Sequence, residues 1–211
     1  PDAATATLSR AFSGCDQPNT PFTADELASM AIAGKRYTFD DNDREKLDAA
    51  IAEANAAAEA DGRAGTLTRE NAARSLPADA ISHLDDVYRV ASAAKPALAI
   101  VAALCIAGLA HVAVRISRRA LGRTLMAGGG LVLAAFFALG AWAAIDFDGL
   151  FAAFHSLFFQ AGTWTFPYDS LLITLYPTAF WMGMSGIWLA VTCIASIICI
   201  IVGRLLCSET E

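Results

Sequence analysis

The sequence predicts a mainly α-helical membrane protein with three transmembrane helices, an extracytoplasmic and mostly helical head, and an interfacial aromatic loop. Of its 211 residues, 56% are apolar and only 17% are charged, which is too little charge for an ordinary soluble domain. The charge is also unevenly placed: residues 1–90 hold nine Lys/Arg and sixteen Asp/Glu, whereas residues 91–211 hold six and five. The acidic first part argues against nucleic acid as a partner.

Three segments are long enough to span about 30 Å of hydrocarbon and contain no Asp, Glu, Lys or Arg. They are residues 97–114, 125–145 and 184–203. The loop at 115–124 carries four arginines, which places it in the cytoplasm by the positive-inside rule. The head at 1–94 and the loop at 146–183 are therefore predicted to lie outside, and the tail at 204–211 inside.

An acidic head outside the cell must be carried across the membrane. The chain begins at Pro1 with no apolar run before the head, so we expect either a removed signal peptide or an upstream span. We favour a fourth, N-terminal transmembrane helix.

The head contains signals for several helices. Residues 1–24 are rich in Pro, Ser, Thr and Ala and are predicted to be a loosely ordered linker. Thr23 and Glu26 form a capping-box pattern that predicts a helix start, and Gly34 is expected to end that helix. The "KRYTF" stretch at 35–39 also permits a short strand.

Further along the head, the charged Ala/Glu-rich segment at 41–62 predicts a solvated helix of about five turns. A mixed connector at 67–79 follows, and then the helix "AISHLDDVYRV". Its spacing places His83 beside Asp86, and predicts an ion pair between Asp85 and Arg89. Lys-Pro at 95–96 is expected to mark the membrane boundary, with the proline in the first turn of a new helix.

The loop at 146–183 is unusually aromatic. Apolar residues at 147, 150, 151, 154, 157 and 158 predict an amphipathic helix lying along the interface, and prolines at 167 and 177 prevent one continuous helix. We name as the aromatic lip Phe154, Phe158, Phe159, Trp164, Phe166 and Tyr168. Aromatic residues at headgroup depth are expected to continue from this lip through Tyr176, Phe180 and Trp181.

Two histidines, His83 and His155, are predicted to lie outside, whereas His111 is expected at the cytoplasmic interface without a catalytic role. The ordinary interpretation of each is a ring that reaches water from an apolar surface. Their shared side of the membrane and their acidic neighbours favour an acid–base pair, because an imidazole of pKa about 6.5 both takes and gives a proton. The candidate orienting carboxylates are Asp86, Asp148 and Asp169.

Other motifs are less informative. The chain has neither an H-E-x-x-H motif nor a tight His/Cys cluster, so a metal site is the weaker interpretation. Cys15 is the one cysteine predicted outside, which leaves no extracytoplasmic pair for a disulfide. "AGGG" at 127–130 lies within a span and is typical of close helix packing.

Two motifs together resemble a known family. "ISHLDDV" (Ile81 to Val87) and "FHSLFF…W.F…DSLL..LYP..FW" (Phe154 to Trp181) are similar to the bacterial integral membrane family that contains the lipoprotein intramolecular transacylase. The resemblance covers residues 76–204, and "TADELASMAIAGKRYTF" is similar, more loosely, to the family's first extracytoplasmic helix. The helix near 41–61 departs from the pattern and is interpreted as an insertion.

The resemblance implies a cofactor-independent acyltransferase, multi-pass in the bacterial cytoplasmic membrane, with its active face outside. Such an enzyme moves the sn-2 acyl chain of a diacylglyceryl-cysteine lipoprotein to the cysteine α-amino group, so its partners are membrane lipid and a lipidated protein. The family's histidine pair maps onto His83 and His155. The alternatives are a non-catalytic membrane interaction module with an acidic head and, more weakly, a metal-dependent hydrolase. Imidazoles within about 7 Å of each other favour the enzyme.

Overall fold

The computed structural model describes residues 2–63 and 74–208, and within these ranges every regular element is helical. The predicted connector at 67–79 lies largely outside the described residues. The strand permitted at 35–39 is wrong, because these residues form the end of a helix. The α-helices are α1 (Asp2–Phe12), α2 (Ala24–Phe39), α3 (Arg44–Ala60), α4 (Ala78–His111), α5 (Arg118–Ile145), α6 (Phe147–Ser156), α7 (Leu171–Leu175) and α8 (Thr178–Ser208).

The chain divides into two compact units. The head unit comprises Pro1–Ala93 and Phe154–Met184, and the membrane unit comprises Ala94–Ala153 and Ser185–Glu211. Helices α4, α6 and α8 each contribute residues to both units.

Helix α1 corrects the prediction that residues 1–24 are a linker. Its residues have modest helix propensity, but tertiary contacts fix them: Leu8 and Ser9 are buried, and the Asp2 carboxylate pairs with Lys35 at 3.3 Å and Arg36 at 2.7 Å. These long-range contacts favour the helix in a segment whose local composition is that of a loop.

Helix α2 begins where the sequence predicted. The Thr23 hydroxyl accepts a hydrogen bond from the Glu26 amide at 3.3 Å, and the Glu26 carboxylate accepts one from the Thr23 amide at 2.7 Å. The predicted end at Gly34 is wrong, because α2 continues to Phe39. Gly34 instead provides space for Tyr176, whose hydroxyl donates to the Ala31 carbonyl at 2.6 Å.

Helix α3 confirms the Ala/Glu-rich helix. The Asp43 side chain caps it by accepting hydrogen bonds from two backbone amides at 3.1 and 3.2 Å, and Gly62 follows the helix with a φ of 70°. One face is apolar and buried, so the helix is part of the core rather than only a solvated arm. The buried residues are Leu47, Ile51, Ala54 and Ala58.

The core of the head unit joins α2, α3, the start of α4 and the short helix α7. Met30, Leu47, Leu171 and Leu175 are its largest fully buried apolar side chains. Helix α7 begins at Ser170, whose hydroxyl accepts from the Ile173 amide at 3.3 Å. The cap fixes where this five-residue helix begins, and the three leucines of the helix are buried in the core.

Helix α4 runs unbroken through Pro96, which corrects the prediction that a new helix begins there. Proline removes one intrahelical hydrogen bond, but the surrounding residues are mostly alanine, the strongest helix former. The helix ends in a π-helical turn over Val112–Ile116. Ser117 then caps α5 by accepting from the Ala120 amide at 3.0 Å.

Three helices are long and apolar enough to cross a membrane, as predicted: Ala78–Ile116, Arg118–Ile145 and Thr178–Ser208. Helices α5 and α8 approach each other at small residues. A Cβ added at Gly129 would lie 2.8 Å from the Ser196 carbonyl oxygen, so the close-packing role predicted for "AGGG" is confirmed there. Gly128 and Gly130 have no described atom within 4 Å of an added Cβ.

Candidate functional site

His83 lies in the first turns of α4, on the face that packs into the head core. Ala80, Ile81 and Leu84 on the same turns are buried, and His83 itself is only 8% exposed. The helical period thus carries a polar side chain into an apolar environment.

His155 is near the end of α6. Its carbonyl accepts hydrogen bonds from the Phe158 amide at 3.1 Å and the Phe159 amide at 2.9 Å, so the chain makes a tight turn immediately after the histidine. His155 is half-buried. The turn brings Phe159 back against the imidazole that precedes it.

The structure brings these two histidines together. The ring centroids of His83 and His155 are 6.1 Å apart, with an angle of 30° between the ring planes. Both rings belong to the head unit. We refer to them as the imidazole pair.

Four members of the aromatic lip contact the imidazole pair. Phe159 lies against both rings, with its centroid 5.0 Å from His83 and 5.7 Å from His155. Trp164 lies 4.9 Å from His155, and Phe166 lies 5.5 Å from His83. Phe154 completes the group at 5.7 Å from His155. The pair is thus enclosed largely by aromatic rings.

The other aromatic residues separate into two groups. Phe158 and Tyr168 in the lip are 49% and 62% exposed, and Phe158 contacts Phe154 and Phe159, which lie against the pair. Phe180 is 2% exposed and Tyr176 packs against the head core, which corrects their assignment to a belt at headgroup depth. Tyr176 packs on α2, where its hydroxyl donates to the Ala31 carbonyl, and Phe180 packs against Tyr176 at 5.2 Å between ring centroids.

Two buried polar atoms in this cluster have no hydrogen-bonding partner among the residues that the structure describes. They are Nδ1 of His83 and Nε1 of Trp164. Buried polar groups are nearly always hydrogen-bonded, and exceptions are found where a ligand or a reaction uses the group.

The environment of His83 favours its neutral form. Burial, and then the positive charge that His155 can carry, lower the pKa of His83 to about 4, while the nearby Asp86 carboxylate opposes this shift. His83 is therefore an uncharged base at neutral pH. A positive charge on His155 therefore disfavours a proton on His83.

The three candidate orienting carboxylates lie in different surroundings. Asp86 is close enough to His83 to affect its pKa, but its carboxylate also accepts a hydrogen bond from Arg89 at 2.7 Å. Asp169 is half-buried and immediately precedes the cap of α7, and Asp148 belongs to the membrane unit.

The ion pair predicted between Asp85 and Arg89 is wrong, because Arg89 pairs with Asp86. Asp85 instead accepts a hydrogen bond from the Tyr37 hydroxyl at 2.5 Å and a longer one from the Asn42 amide at 3.4 Å. Burial, and then the Asp85 carboxylate, raise the pKa of Tyr37 to about 12. Sequence analysis missed this link between α2 and the helix of His83, because neither spacing nor composition indicates a long-range contact.

Together these features define an all-helical membrane protein, over the described ranges, with an imidazole pair, one ring buried and one half-buried, near one end of a candidate span. A family model described as lipoprotein intramolecular transacylase (Lit) matches residues 63–181, more than half of the chain. The chain belongs to this family, which indicates acyl transfer at the level of the family. No curated protein and no solved structure is a significant match.

Proposed function

We propose that this protein moves the sn-2 acyl chain of a diacylglyceryl-cysteine lipoprotein onto the α-amino group of the same cysteine, with His83 and His155 as an acid–base pair. The main support is the imidazole pair, whose centroids are 6.1 Å apart within the family-matched segment. This separation allows one reacting group to contact both rings.

The site is proposed to act at the outer face of the bacterial cytoplasmic membrane. The loop between the first two predicted spans contains Arg115, Arg118, Arg119 and Arg123. Such a loop is expected to stay in the cytoplasm, so we propose that the head lies on the opposite side. The exposed lip residues then allow the acyl chains to remain in lipid while the ester reaches the imidazoles.

His83 is assigned as the first base, because its neutral form is available at physiological pH. It accepts a proton from the α-ammonium group, and the free amine attacks the ester carbonyl carbon. A C–N bond forms, the C–O bond to the glyceryl oxygen breaks, and the glyceryl oxygen takes one proton from His155. The second proton lost by the nitrogen is released to solvent, and the proton on His83 then passes to His155. This transfer restores the starting pair and leaves an amide and a free hydroxyl as the products.

The charge repulsion between the two imidazoles suits this sequence of steps. Because a proton on one ring disfavours a proton on the other, a proton taken up by His83 assists proton loss from His155 toward the leaving oxygen. Donor and acceptor are on one molecule, so no second substrate has to be positioned. The reaction involves no change of oxidation state.

The test is the conversion of a lipoprotein reporter in bacteria that lack the activity, read by mass spectrometry of the lipidated cysteine. His83→Ala and His155→Ala should each lower the rate of lyso-lipoprotein formation by a factor on the order of 10²–10⁴. Membrane accumulation and the thermal midpoint of the purified protein show whether each variant is folded.

His111→Ala is the matched control, because it removes the same side chain at the other end of α4. It should convert the reporter at the wild-type rate. If His83→Ala and His155→Ala also retain conversion, the acid–base assignment is wrong, and a non-catalytic role as a membrane interaction module becomes the better hypothesis.

A further inference from the structure

Besides Nδ1 of His83, one other buried polar atom among the rings around the imidazole pair has no hydrogen-bonding partner within the described ranges. It is the indole nitrogen of Trp164. The indole N–H donates one hydrogen bond and accepts none, so it can interact favourably only with an acceptor. Among the described residues no acceptor reaches it.

The position of this donor is defined by its neighbours. The Trp164 ring centroid lies 4.9 Å from that of His155, and the angle between the two rings is 33°. His155 in turn lies 6.1 Å from His83. The unused donor is therefore in the same ring cluster as the unused Nδ1 of His83.

The chemistry of acyl transfer needs such a donor. When the amine attacks, the carbonyl oxygen of the ester becomes an oxyanion, and neither imidazole can stabilise it while both exchange protons with the nitrogen and the leaving oxygen. A neutral N–H that is already desolvated stabilises that charge without being reorganised.

We propose that the Trp164 indole N–H hydrogen-bonds the carbonyl oxygen of the transferred acyl group and stabilises the oxyanion that forms on it. This proposal rests on the proposed function. The indole transfers no proton. It acts as a fixed donor while the C–N bond forms and the C–O bond breaks. Side chains cover the nitrogen, and the incoming acyl chain is an apolar group that can take their place.

Thermal stability distinguishes a structural role of the Trp164 N–H from the proposed role in acyl transfer. A structural N–H has a partner, so its removal lowers stability. An unpartnered buried N–H has already lost its hydrogen bonds to water, so its removal leaves stability unchanged or raises it. The distinguishing result is a loss of activity without a loss of stability.

The cleanest change replaces Trp164 with benzothienylalanine, in which sulfur replaces the N–H and the bicyclic ring is kept. With the full-length protein and a synthetic diacylglyceryl-cysteine lipopeptide, we expect kcat to fall by a factor on the order of 10²–10³, with KM nearly unchanged. The thermal midpoint should be equal to or above that of the wild type. Trp164→Phe should reproduce the loss of kcat, and Trp142→Phe in α5 is the matched control that should leave kcat unchanged.

A wild-type kcat for the benzothienylalanine protein would overturn this proposal, as would a lowered thermal midpoint that accounts for the loss. These outcomes are distinct from failure of the proposed function. If the proposed function itself is wrong, the histidine variants retain conversion, whatever the Trp164 variants do. If the histidine variants are inactive while both Trp164 variants turn over normally, only the oxyanion assignment fails.

Discussion

Substitution of Gly34 by alanine tests the close contact between α2 and Tyr176, the residue that follows α7. An added Cβ would collide with the Tyr176 hydroxyl oxygen and would lie 3.4 Å from the ring carbon that carries it. That hydroxyl donates to the Ala31 carbonyl at 2.6 Å, and burial raises its pKa above the ordinary value. The methyl group can be accommodated only if the tyrosine ring moves and this hydrogen bond is lost.

The expected cost follows from three terms. Overpacking costs about 1–3 kcal/mol, and a buried hydrogen bond left unmade costs about 1–3 kcal/mol more. Alanine is the better helix former by about 1 kcal/mol, which offsets part of the cost. Gly34→Ala should therefore lower the free energy of unfolding by roughly 3 kcal/mol, which corresponds to a fall in thermal midpoint of about 6–12 °C.

A double-mutant cycle measured by thermal unfolding of the purified protein isolates the contact. Tyr176→Phe removes the colliding oxygen and by itself should cost about 1 kcal/mol. In that background Gly34→Ala meets only ring carbon, so the double variant should be more stable than the sum of the single effects by about 1–3 kcal/mol. Gly128→Ala is a control, since no described atom lies within 4 Å of its added Cβ. Additive costs in the cycle would refute the reasoning.

Two further predictions concern α4. Because the pKa of His83 falls from 6.5 to about 4 in the folded protein, the unfolded chain binds this proton first, and stability should decrease as the pH is lowered from 6.5 toward 4. Thermal midpoints across this range should depend less on pH in His83→Gln, and an unchanged slope would contradict the assigned burial. Tyr37→Phe removes the hydrogen bond to the half-buried Asp85 and should cost about 1–3 kcal/mol in chemical or thermal unfolding. Tyr88→Phe is its control, because no described hydrogen bond involves that hydroxyl, and equal costs for the two variants would contradict the assigned role.

The sequence predicted the features that depend on local or periodic information. The three apolar spans follow from length and composition, and the start of α2 follows from the Thr23–Glu26 capping box. The pairing of His83 and His155 follows from the predicted membrane topology rather than from their spacing, and the structure places the two rings 6.1 Å apart. Nothing tests their catalytic roles, which stay a prediction.

The errors have a common physical cause, because tertiary contacts decided them. Helix α1 is stabilised by Asp2 and Leu8, whose partners lie on other elements. Gly34 was interpreted as a helix end, but its missing side chain makes room for a tyrosine 142 positions later in the chain. Pro96 is an exception to this cause, because it is exposed and the alanine-rich sequence around it favours the continuing helix. The unpartnered nitrogen of Trp164 has no sequence signal at all, because burial and the absence of an acceptor are properties of the folded site.

The composition of the head core limits how this protein can be shortened. Every residue proposed for catalysis lies within the family-matched segment that begins at Arg63. The core around α4 and α7 nevertheless takes many of its apolar side chains from upstream, including Leu27, Met30, Leu47 and Ile51. A minimal enzyme cut to the matched segment would keep its reactive groups and lose the surfaces that position them. The helix near 41–61 should therefore tolerate changes in its exposed charges, but a version of this chain without it would need a new apolar wall in its place.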